Sequence, residues 1–178
     1  MIPEIREKFN NDFSEKVYQE YLDDLNSALK YPTDFRVCET PLFLSRDLTS
    51  ELIKASDDII VQLQQDEFIK RSEAAIPENL KVPNDFEHPP FFQIDFAITK
   101  NGEKFWPKLI ELQAFPSLYG YQAYLNEVIR KHFDIPVGFH SYFNGLNKST
   151  YRTLLTKTIL GNHDPENVIL LEIEPEKQ

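Results

Sequence analysis

The chain is poor in the residues on which several common chemistries depend. It has one cysteine in 178 residues, Cys38, so no disulfide can close within it, and a reducing, cytoplasmic compartment is the expected setting. Its five glycines, Gly102, Gly120, Gly138, Gly145 and Gly161, stand too far apart to form a phosphate-cradling loop, which excludes P-loop and dinucleotide-binding fingerprints. No run approaches the roughly 18 apolar residues of a membrane span. No basic-then-apolar leader opens the chain. Basic residues are in deficit, with 19 Lys and Arg against 29 Asp and Glu and a formal net charge of -10. That balance argues against nucleic-acid or anionic-membrane partners, because neutralising phosphates takes clustered Lys and Arg.

Aromatic residues are plentiful, with 14 Phe and 8 Tyr, and most fall at helical or strand spacing, as core residues do. Ile5, Phe9, Phe13, Val17, Tyr21, Leu25 and Leu29 recur every four residues and predict one long helix over about 3–30, ended by Tyr31-Pro32. A second helix is predicted over about 50–71, with Thr49 as its N-cap and Glu51 in its first turn. Pro77, Pro83, Pro89 and Pro90 mark a connector. Later helices are expected over about 121–132 and 150–160, the latter closed by Gly161. Val168 to Ile173 is a nearly continuous apolar run, expected as a buried strand that either pairs back onto the hairpin sheet or, the favoured reading, opens a larger α/β unit. The expected architecture is α+β: a mainly helical region over 1–88, packed with a mixed, largely antiparallel sheet in an α/β region over 89–178.

The chemistry concentrates in two apolar runs, 91–98 and 108–113, which carry Asp95 and Glu111. Ionised carboxylates within buried strands are costly unless a cation or several donors compensate them, so the pair is a candidate metal or phosphate site. A solvated face of an amphipathic hairpin is the plain alternative. Asn101-Gly102 is the turn signal. A strict two-residue turn there pairs Asp95 with Lys108 and leaves Glu111 on the other face. An odd loop near Asn101-Gly102 or one bulge brings both carboxylates to one face, and Pro107, which cannot donate to a ladder, is a natural place for irregular pairing.

Other candidates have structural explanations. His132, Asp134 and His163 match the residue types of a two-histidine, one-carboxylate metal site, but a helix end and a turn account for the histidines. Cys38, with no histidine near it in sequence, reads as inert core or strand. Tyr119, Tyr121 and Tyr124 suit either a ligand cleft or helix packing.

The segment Gln93-Ile94-Asp95-Phe96, followed by Lys108-Leu109-Ile110-Glu111-Leu112-Gln113 and a proline-containing turn, resembles the central motif of the glutathionylspermidine synthase-like, circularly permuted ATP-grasp ligases. That motif reads Arg-x-Asp-Phe, a short turn, then Leu-Leu-Glu-x-Asn. The resemblance covers about 30 residues. It implies that Asp95, Glu111 and Gln113, the last standing where Asn is usual, hold Mg²⁺ on ATP phosphates, a task suited to hard oxygen ligands. Gln93 takes the place of the family's arginine. The nucleotide-gripping loops of that family follow this motif, so the resemblance implies the N-terminal part of a longer ATP-dependent carboxylate-amine ligase, inactive by itself, whose substrate is a small molecule such as a peptide or amine. The alternative is a non-catalytic α/β binding or assembly domain without nucleotide chemistry.

Overall fold

The computed structural model describes residues 2–84, 88–115, 118–172 and 174. In chain order the elements are α1 (Pro3–Asn11), α2 (Glu15–Ser27), α3 (Arg46–Leu63), α4 (Asp66–Ala75), β1 (Gln93–Asn101), β2 (Lys104–Gln113), α5 (Tyr119–His132) and α6 (Lys148–Leu160). The fold is α+β, with a purely antiparallel sheet of two strands among the described residues. Two compact units interleave in sequence: Met1–Arg6 with Leu42–Pro116, and Glu7–Pro41 with Ser117–Gln178.

The expected long first helix is broken at 12–14. A strict four-residue repeat advances about 40° around a helix at each step, so its seven positions cannot share one face of a straight rod. Asn10, Asn11 and Asp12 favour local side-chain bonding over helix, and Ser14 restarts the helix as the N-cap of α2, its hydroxyl accepting from the Val17 N–H at 3.5 Å. The second predicted helix also divides. It begins earlier, at Arg46, because Ser45 rather than Thr49 is the cap and accepts from the Leu48 N–H at 3.3 Å. Thr49 instead donates its hydroxyl to the Ser45 carbonyl at 3.0 Å, inside the first turn. The connector is irregular apart from a 3₁₀ turn at Glu78–Leu80. The late helices are α5 and α6. Asn147 caps α6 by accepting from Ser149 and Thr150 N–H groups at 2.9 and 3.1 Å, and Thr150 closes a capping box.

The predicted strand at the end of the chain does not form. Residues 168–172 have no regular structure, and Ile169, Leu170 and Leu171 are 79–88% exposed; Ile173 lies outside the described residues. A strand is a partnership, since its N–H and C=O groups need a neighbouring ladder, and apolar composition alone supplies none. Cys38 also departs from expectation, being exposed beside the buried Val37.

The first unit contains α3, α4 and the hairpin, with α3 against β2. Phe43, Leu48 and Phe91 are its buried apolar residues. In the second unit, Tyr21 and Leu25 of α2 pack with Val37 and with Val128 of α5, ringed by Tyr121, Tyr124, Leu125 and Ile129. The α5 residues follow the three-and-four spacing of one helix face. The Tyr124 hydroxyl donates to the Asp24 and Leu25 carbonyls at 3.0 and 3.2 Å, groups that the end of α2 leaves open. Helix packing therefore accounts for Tyr121 and Tyr124.

At the same end of α2 the Asp24 carboxylate accepts from Lys131 Nζ and pairs with His132 Nε2, each at 2.8 Å. The Lys131 hydrogen bond, then that of His132, holds the Asp24 carboxyl below its ordinary pKa. A depressed folded-state pKa stabilises the fold above the unfolded value, and the contribution is lost as pH falls through the folded value. Asp24→Asn therefore lowers the thermal midpoint at neutral pH. The gap between variant and wild type closes as pH falls through the carboxylate range, as thermal melts across that range would register; a gap that stays constant with pH contradicts the assignment.

Candidate functional site

The hairpin turns at Gly102-Glu103 rather than at Asn101-Gly102, and Asn101 pairs with Lys104. Gly102 has φ 61° and Glu103 is not among the positive-φ residues, the sign pattern of a type II′ turn, which puts glycine first. From that turn the pairing runs regularly to Phe96 opposite Leu109. Continued unchanged, it places Ile110 opposite Asp95 and Glu111 among the apolar residues of the other face. Instead Ile110 goes unmatched, and Asp95 pairs with Glu111 and Gln93 with Gln113. The bulge falls at Ile110 and not at Pro107, which pairs with Ile98 in register. A ribbon of two strands has only edges, so a proline is tolerated there without irregular pairing.

The bulge sorts the side chains. One face carries Gln93, Asp95, Glu111 and Gln113, and further along it Lys108 opposite Ala97. The other carries Ile94, Phe96, Ile98, Leu109 and Leu112. Within the polar face, Gln93 Nε2 donates to Asp95 Oδ1 at 3.0 Å. Gln113 Nε2 reaches both carboxylates, at 3.5 Å from Asp95 Oδ2 and in a shorter bond to Glu111 Oε1. Ionised carboxylates only accept, so the amide N–H₂ must face them, and the Gln113 carbonyl oxygen then points away from the pair.

The carboxylates were expected inside buried strands. Asp95 is half-buried and Glu111 exposed, because a two-stranded ribbon leaves its polar face in water. Asp95 Oδ2 and Glu111 Oε1 both lie within reach of the Gln113 amide nitrogen. Carboxylates and an amide oxygen are the donor types that Mg²⁺ takes. Gln93 supplies Asp95 with a neutral donor. Lys108 shares the face opposite Ala97, although the sequence reading sets it against Asp95 in an unbulged register and gives it no role. Its signal was the alternation counted back from Glu111 through one bulge.

The histidines do not assemble a metal site. His132 is engaged with Asp24 and lines a cleft of about 200 Å³ with Asp134, Phe9 and Phe133, whereas His163 lines a different cleft. Among the described residues no group of three or more His, Cys, Asp or Glu side chains is placed to hold a metal ion. No helix among them is long and apolar enough to cross a membrane. Comparison of the chain with protein-family models, curated proteins and solved structures gives no match.

Like charges directly opposite in an antiparallel pair destabilise it by roughly 0.2–1 kcal/mol, and among the described residues the donors that offset the Asp95–Glu111 pair are amides. Glu111→Gln is therefore expected to raise stability by about that amount in chelator-treated protein, read from urea denaturation. A loss of stability instead shows that the carboxylate pair is held by a stronger donor than Gln113.

Proposed function

We propose that this chain is the N-terminal portion of an ATP-dependent carboxylate-amine ligase, to which it contributes the Mg²⁺ carboxylates of an ATP-grasp site completed by elements outside the 178 residues. The observation that carries the reading is the cross-strand pairing of Asp95 with Glu111, flanked by Gln93 and Gln113 on one face. The resemblance of these positions to the ligase motif requires that convergence, and an unbulged hairpin lacks it. Asp95, Glu111 and, after rotation of its amide, Gln113 would hold the metal. The metal supplies neutralisation of nucleotide phosphate charge. The chain's own residues set its place: the bulge fixes the carboxylates, Gln93 orients Asp95, and Lys108 offers the positive charge that Gln93 does not. The apolar run at 168–171, unpaired here, supplies strand-forming sequence for a neighbouring element. A cytoplasmic enzyme acting on a small peptide or amine accords with the single cysteine and the acidic balance.

A second reading is favoured by the Gln113 amide, whose N–H₂ stands between the two carboxylates where a cation would sit. On that reading the polar face is self-compensated, and the domain serves binding or assembly with no nucleotide chemistry.

Titration with Mn²⁺, a paramagnetic stand-in for Mg²⁺, separates the two. Metal binding at the carboxylates broadens the amide resonances of residues 93–95 and 111–113, and the D95N/E111Q variant abolishes the effect while keeping its dispersion. Broadening that is absent, or that survives in the variant, overturns the ligase reading in favour of the self-compensated domain. Carboxylates alone lack the cationic and backbone donors that grip phosphates, so calorimetry of the 178-residue chain with Mg-ATP is expected to show no micromolar binding. Micromolar binding places a complete nucleotide site within these residues.

A further inference from the structure

Helix α6 runs against the acidic character of the chain: it carries Lys148, Arg152 and Lys157 and no Asp or Glu. Lys148 is paired with Glu127 at 2.7 Å. Arg152 and Lys157 take part in none of the ion pairs among the described residues. Ser149, Arg152, Thr153, Thr156 and Lys157 recur at three- and four-residue spacing and so share one helix face. That face walls an open cleft of about 450 Å³. Gly161, at φ 57°, ends the helix and turns the chain, so that His163, whose N–H bonds back to the Leu160 carbonyl at 2.9 Å, completes the lining. No carboxylate contributes to it. Thr153 directs its hydroxyl proton to the Ser149 carbonyl at 3.1 Å, and Ser149 and Thr156 also line the cleft.

We propose that this cleft binds the phosphate group of a small phosphorylated molecule. Arg152 presents a planar guanidinium that can engage two phosphate oxygens at once, Lys157 adds a mobile point charge, and the hydroxyls and the His163 ring supply shorter-range donors. The two full cations outweigh the partial negative charge, about half an electron, of the carbonyl end of α6. A compact anion suits the site better than an acidic macromolecule. A phosphate concentrates its charge on the cations, within a Debye length of about 8–10 Å, whereas an extended polyanion also meets the repulsion of a chain with net charge -10. The site is independent of the carboxylates on the hairpin, since it shares no residue with them and needs no metal.

The test is a titration of isotope-labelled protein with inorganic pyrophosphate and, separately, with a sugar phosphomonoester, at constant ionic strength. A chelator is present throughout, which removes metal-dependent binding at Asp95 and Glu111. Saturable amide shifts are expected at Ser149, Arg152, Thr156, Lys157 and His163. Arg152→Gln combined with Lys157→Gln should weaken binding at least about tenfold, and Lys148→Gln, a cation outside the cleft, should leave it unchanged. Circular dichroism checks that both variants keep their helix content; should the double variant lose it, the single Lys157→Gln replaces it with an expected weakening of several-fold. Four outcomes overturn the proposal: no saturable shift, shifts reproduced by sodium chloride alone, equal affinity in the cleft variants, or tighter binding of a poly-glutamate peptide than of either phosphate.

Discussion

Side chains alternate across a strand with period two, so a hairpin that turns at Gly102-Glu103 carries Glu111 onto the apolar face unless one residue of β2 goes unmatched. Two errors are available to the chain. One sets a carboxylate among Ile94, Phe96 and Leu109. The other leaves an isoleucine in water. Exposing an isoleucine side chain forfeits about 1.5–3 kcal/mol at most, and Ile110 gives up only part of that because it is 64% exposed. An unpaired carboxylate on an apolar face costs more once it is desolvated, and the error would extend to Leu112, which an unbulged register carries onto the polar face. The bulge is therefore the cheaper solution, and the convergence of Asp95, Glu111 and Gln113 follows from it.

That origin explains why the carboxylate pair could be read as a possibility in the sequence while its geometry could not. The residue types and the apolar flanks are local, and they identified the ribbon. Register depends on the count from the turn, and Gly102 can serve either as the second residue of an Asn-Gly turn or as the first of a Gly-Glu turn. The choice shifts every pair by two, and the bulge then shifts the pairs beyond it by one. Pro107 attracted the expectation of irregularity because it lacks a donor, but the irregularity arose where alternation failed, at Ile110.

The same division between local and relational signals runs through the helices. Boundaries set by capping chemistry were legible where one cap competed with no other, as at Gly161. They failed where two hydroxyls stood four residues apart, since Ser45 and Thr49 both suit an N-cap and the earlier one wins by gaining a turn of helix. The stripe from Ile5 to Leu29 looked continuous because four is near 3.6, and the accumulated drift became visible only in the break before Ser14. The apolar run after Asn167 was misjudged for a different reason. Its composition fits a strand, but strand formation belongs to a pair of segments, and no described segment pairs with it.

The polar face of the ribbon is compensated by its own amides. Gln93 and Gln113 meet the carboxylates with neutral donors, and a hydrogen bond to a charged group contributes about 1.5–3 kcal/mol, less where water competes for it as at the exposed Glu111. The amides thus hold Asp95 and Glu111 in position. Rotation about the last side-chain bond would turn the Gln113 oxygen toward the carboxylates and lose both bonds. Asparagine at that position has one methylene fewer and would reach less far across the pair. The longer glutamine side chain lets one amide touch carboxylates on both strands.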